Sequence, residues 1–221
     1  MTLLCSPLAG IALGELPQLM NGDKFQPPLP GRDDGHHRID FAFYRHGTLT
    51  TMLGLPIQAI MPGKVAAVIN DRKPYGNAII IETSLDPILA RWTDTIYLPT
   101  PSPTVIPDPR LTCPKPQSEP WLTASHRSLY YLYAHMNTPS PLKVGDPVTC
   151  GEVVGEVGPT GNSVNPHLHL ETRLGPAGVT FTSLGYYDTR TTEEERSNYC
   201  IWRVSGWFQM FDPMILLSQT P

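Results

Sequence analysis

Residues 165–171 read NPHLHLE. Taken as a strand, the stretch puts His167, His169 and Glu171 on one face and Leu168 and Leu170 on the other, because side chains alternate along extended chain. Two imidazoles then stand side by side on a surface backed by leucine. The remaining sequence must supply what they face.

Working outward, "RSLYYLYAHM" (127–136) reads as a strongly aromatic strand, and "PLKVGDPVTCGEVVGEVGPTGNS" (141–163) as short valine-rich strands separated by glycine turns. Further upstream, "PGKVAAVI" (62–69) and "NAIIIE" (77–82) are β-branched runs joined by the hairpin loop "NDRKPYG". The 25 prolines, about twice the usual share, interrupt helices and central strands and so favour short strands joined by turns. The fold class read from this pattern is all-β, with an antiparallel sheet as its core. A single domain spans 1–221. It has a lead-in at 1–35, a core at 36–171 and an insertion at 84–127 dense in Pro, Ser and Thr. An irregular segment with C-terminal strands and tail occupies 172–221.

The net charge of −4 gives no electrostatic reason to expect binding to nucleic acid or an anionic membrane. No apolar run approaches the roughly 18–20 residues that span a bilayer, so direct membrane insertion is not expected. The opening "MTLLCSPLAGIALGELPQLM" lacks a basic leader region and does not read as a signal peptide. Cys5, Cys113, Cys150 and Cys200 form no CxxC pair and no thiolate zinc site. An even count permits disulfides in an exported protein or four buried thiols. A bridge between Cys113 and Cys200 would tie the two irregular segments together.

Seven histidines occur, and zinc commonly takes three ligands drawn from His, Asp and Glu while leaving a fourth position open. His36 and Asp40 are four apart, which keeps both on one face of extended chain. His167 and His169 share a second face, and His135 in "YAHM" stands at a strand end. His37, His46 and His126 read as ordinary surface or core histidines.

The ordered pieces "HHRIDFAF", "PIQAIMPGKVAAVI", "YGNAIIIE", "YLYAHM", "VGDPVTCGEVVGEVGPTGNS" and "PHLHLE" together resemble the lysostaphin-type, LytM-like zinc metallopeptidases that cut peptidoglycan. The resemblance runs from about 36 to 171 and omits the lead-in, the irregular segments and the tail. It implies a duplicated hybrid-motif-like barrel sandwich, one zinc ion held by His36, Asp40 and His169, and His135 and His167 acting on the reaction. It also implies a peptidoglycan peptide as substrate and a place outside the cell, in the periplasm or in the cell envelope. The family pattern carries glycine where this chain has Arg38. An arginine there costs about 1 kcal/mol or more if the position needs a positive φ, or else it projects toward an acidic substrate. Glu171 is expected either as an acceptor behind one of the histidines or as a solvent-facing residue.

Two further readings come from other classes. A non-catalytic LytM-like module would bind or regulate other wall hydrolases, but such modules typically lack one or more ligands, and here every one is retained. A biotinyl or lipoyl carrier needs a lysine at the hairpin tip, where this chain has Cys150-Gly151-Glu152.

Overall fold

The computed structural model describes residues 4–20, 25–29, 32–85, 111–114 and 126–218. Its frame is an antiparallel sheet. Strands β1 (Ile39–Phe41), β3 (Gly63–Arg72), β4 (Gly76–Ser84), β5 (Arg127–Met136), β6 (Pro147–Val148) and β8 (Leu168–Pro176) lie in the spatial order β1-β8-β5-β4-β3-β6, with β9 (Gln209–Phe211) also paired to β8. β1 and β9 share one edge of β8 end to end, against 168–170 and 172–174 respectively. A second, two-stranded sheet pairs β2 (Pro56–Gln58) with β7 (Val153–Glu156).

The long strands are buried on both faces, so their sequences run nearly continuously apolar. Alternation sorts their side chains into two cores. Ile79, Ile81, Tyr131, Tyr133, Leu168 and Leu170 enter one, with Leu8, Leu16 and Ile57 from the N-terminal segment and β2. Ala78, Ile80, Tyr130, Leu132 and Ala134 enter the other, under Phe181, Leu184, Tyr199 and Trp202.

The lead-in is tightly built onto the frame. Cys5 donates its N–H to the Ile60 carbonyl at 2.8 Å and is disulfide-bonded to Cys150. The second disulfide joins Cys113 to Cys200, the pairing that the sequence allowed. Most of the 84–127 insertion, including Trp92 and Trp121, lies outside the described residues.

The C-terminal segment keeps an expected strand, β9, but also carries a helix where irregular chain was expected. Residues Glu193–Arg203 form a helix, α2, following the short α1 (Leu16–Leu19). Its start is a capping box: the Thr192 hydroxyl accepts from the Glu195 N–H, and the Glu195 carboxylate accepts from the Thr192 N–H. Three glutamates in its first turn and Arg203 in its last complement the helix dipole. Ile201–Arg203 close the helix. It lays Tyr199 and Trp202 on the second core.

Candidate metal centre

Strand register assembles the site. Asp40 on β1 stands opposite His169 on β8, and Ala134 on β5 stands opposite His169 on its other side. Alternation from Ala134 would turn His135 into the first core, away from His169. Instead His135 takes a left-handed backbone, with φ of 61°, which costs a non-glycine residue roughly 1–2 kcal/mol. Its neighbour Met136 occupies the first core in its place. The His135 ring therefore swings to the other face, with ring centroids 5.1 Å from His169 and 4.8 Å from His167.

Two glycines make this turn possible. Gly76 and Gly161 both have positive φ, and a Cβ on either would lie within 2.4 Å of the other's backbone nitrogen. The two loops thus meet backbone to backbone. The contact brings the Thr160 carbonyl under His135 Nδ1 at 2.7 Å, while the Tyr75 carbonyl accepts the His135 N–H at 2.9 Å.

Each clustered histidine is fixed by a hydrogen bond on one nitrogen, which leaves the other free to accept. A carbonyl only accepts, so His135 Nδ1 carries its proton toward Thr160 and His167 Nδ1 carries its proton toward the Asn165 carbonyl at 2.8 Å. His169 Nε2 donates to Glu171 Oε1 at 3.2 Å. The remaining lone pairs face a common space, where the three rings' ligand atoms lie within 4.8 Å of one another.

Asp40 joins that space to His36. Its Oδ2 is 3.5 Å from His36 Nε2, and its Oδ1 is 3.7 Å from both His169 Nδ1 and His167 Nε2. Both ring nitrogens of His36, along with His167 Nε2 and His169 Nδ1, are buried with no hydrogen-bond partner among the described residues. Leaving such atoms unpaired costs about 1–3 kcal/mol each unless something occupies the space they face.

Burial lowers the His135 pKa to about 3, helped by the charges His169 and His167 would carry. Burial likewise lowers His169 to about 4, against the pull of its bond to Glu171. Both are neutral near pH 7 and so able to offer a lone pair. Burial alone would raise Asp40, but His169, Arg38 and His167 together hold its carboxyl below the ordinary value.

Arg38 does not occupy a positive-φ position, so its replacement of glycine carries no backbone strain. Its Nε donates to Asp40 Oδ1 at 2.9 Å and Oδ2 at 3.0 Å. Arg38, Asp40 and His167 open onto a groove of about 290 Å³, walled by Phe43 and Tyr44 on one side and 162–166 on the other.

Glu171 is fully buried rather than solvent-facing. Its Oε1 accepts from His169 Nε2, from the Tyr75 hydroxyl at 3.2 Å and from Arg203 at 3.1 Å. Its Oε2 accepts from Arg173 at 2.8 Å and from the Trp202 indole at 3.0 Å. Burial would raise this carboxyl, but Arg173, the His169 bond and Arg203 hold it well below its usual range. Arg203 continues to Asp33 at 2.6 Å, and Arg173 reaches His37 Nδ1 at 3.3 Å.

The site residues read from the sequence are thus all brought together, although the group with mutually close ligand atoms is His135, His167 and His169 rather than His36, Asp40 and His169. Sequence reasoning missed Tyr75, Arg173, Trp202 and Arg203. Only Arg173 left a signal, two residues beyond Glu171 and therefore on the same strand face.

Residues 117–180 match the model of Peptidase family M23, under a third of the chain. The structure is similar to the catalytic domain of lysostaphin from Staphylococcus simulans, at 18% identity and TM-score 0.47, covering 94% of this chain and 98% of that one. It is similar to the catalytic domain of the prophage-encoded M23 protein EnpA from Enterococcus faecalis, at 25% identity and TM-score 0.39, covering 74% and 87%. A zinc-containing peptidase from Vibrio cholerae matches at 19% identity and TM-score 0.41, covering 77% of this chain and 36% of that one. No curated protein matches the sequence. The family-model match takes in the strands that carry His135, His167 and His169, in line with the resemblance to the lysostaphin-type metallopeptidases.

Proposed function

We propose that this chain is a zinc-dependent endopeptidase that hydrolyses peptide bonds in bacterial cell-wall peptidoglycan, in cross-links or stem peptides. The observation that carries the reading is the set of buried, partnerless imidazole nitrogens gathered around the Asp40 carboxylate.

The residues fit the metal. A tetrahedral zinc with bonds of about 2.0–2.1 Å holds its ligand atoms about 3.4 Å apart. Asp40 is 3.5 Å from His36 Nε2 and 3.7 Å from His169 Nδ1. We assign His36, Asp40 and His169 as ligands in preference to the three-histidine group. That group contains no anion and would use up both proton carriers. Bound there, zinc supplies Lewis-acid polarisation of a carbonyl and acidification of water.

The chain's other residues would do the rest. The groove beside His167 would hold an extended peptide. His135 Nε2 and His167 Nε2, each aimed by a carbonyl behind its Nδ1, would take a proton during attack and return it to the leaving amine. A protonated imidazole there would also donate to the developing oxyanion. The two disulfides fit an oxidising compartment outside the cytoplasm, and no described helix is long and apolar enough to cross a membrane.

Elemental analysis of the purified protein should find one zinc per chain, and defined peptidoglycan fragments should be cleaved, with mass spectrometry as readout. Chelator should abolish cleavage and zinc should restore it. Cleavage indifferent to chelator contradicts the proposal.

A further inference from the structure

A single guanidinium nitrogen lies almost equidistant from the two oxygens of Asp40, at 2.9 and 3.0 Å. A donor so placed lies near the plane that bisects the carboxylate and engages both of its oxygens at once. The Asp40 side chain is 9% exposed, whereas that of Arg38 is 31% exposed and lies at the groove. One partner is therefore held in the site and the other has room to leave it.

Charge points the same way. Of the assigned ligands, His36 and His169 are neutral donors and Asp40 brings the only formal charge. Arg38 cancels that charge at contact distance, and a cation beside a dication site repels the incoming ion. Both His36 nitrogens and His169 Nδ1 have no hydrogen-bond partner among the described residues, whereas the carboxylate is held by Arg38.

Resting on the zinc reading above, we propose that Arg38 competes with the divalent cation for Asp40, so that metal loading displaces the Arg38–Asp40 pair. The same ligands then hold zinc more weakly than they would with a neutral residue at 38. Arg38 sets how readily the site loads and empties, without being a ligand or a proton carrier.

The test is zinc affinity of the full-length, disulfide-intact protein, stripped of metal and titrated against a chromophoric chelator. Arg38→Gln removes the charge at similar length, and Arg38→Gly removes the side chain. Both should bind zinc about tenfold more tightly or better, the scale of one charge-assisted hydrogen bond lost to the competitor. Mere structural damage lowers affinity and does not raise it. Unchanged or weaker binding in both variants, with wild-type protein binding zinc normally, overturns the competition and leaves the peptidase reading intact. Failure of wild-type and both variants alike to bind zinc overturns both.

Discussion

Glu171 joins three elements on one carboxylate: its own strand through His169, the β3–β4 turn through Tyr75, and α2 through Trp202 and Arg203. By accepting from His169 Nε2 it leaves the Nδ1 lone pair directed at Asp40, so the buried anion sets the tautomer of a proposed ligand. Replacing it with leucine would strand Arg173 without its counter-ion and leave Arg203 with Asp33 alone, and breaking a buried pair from one side costs about 3–5 kcal/mol. Urea denaturation of Glu171→Leu should show a loss of that size. His37 gives a pH prediction. Burial, then Arg203 and Arg173, push its pKa down from 6.5 to about 2. Between those values the unfolded chain binds the proton that the folded chain refuses, so stability rises with pH across the window. The contribution is complete above about pH 6.5 and is lost progressively on acidification. In metal-free protein, His37→Gln should flatten the fall in melting temperature with acid relative to wild type. An unaltered slope would contradict the assignment.

At the scale of elements, the strands were legible because each carries its own signal. The aromatic run of β5 and the alternation in β8 begin and end at turn residues, and both strands form where read. The site was legible in its residues but not in its geometry. That His135 reaches His169 depends on a left-handed backbone at 135 and a glycine–glycine contact between distant loops, neither of which has a local pattern. Helix α2 lies in a stretch that reads as irregular, although Thr192 and Glu195 spell a capping box. The buried charge network went unread for another reason: α2 delivers Arg203 to Glu171 across a 32-residue gap. Thr192→Ala should cost about 1 kcal/mol in denaturant, the usual worth of an N-cap. Replacing Cys113 and Cys200 with serine should cost more, about 2–5 kcal/mol, because the bridge joins α2 to a segment 87 residues away. Equal losses would mean that α2 is held by its packing and not by the bridge.

Across the whole molecule, one sheet divides two cores, and the proposed centre sits where β1, β5 and β8 converge at its end. The first core anchors the lead-in and the small β2–β7 sheet. The second carries α2 and with it the charge network behind His169. The central claim is that this convergence holds one zinc through His36, Asp40 and His169. An anomalous-difference map collected at the zinc edge from crystals of the zinc-loaded protein tests it most directly. The account predicts one strong peak in contact with His36 Nε2, an Asp40 oxygen and His169 Nδ1, with His135 and His167 turned toward it but not bonded. A peak ligated by His135 and His167 with Asp40 still paired to Arg38, or no peak at all, would contradict it.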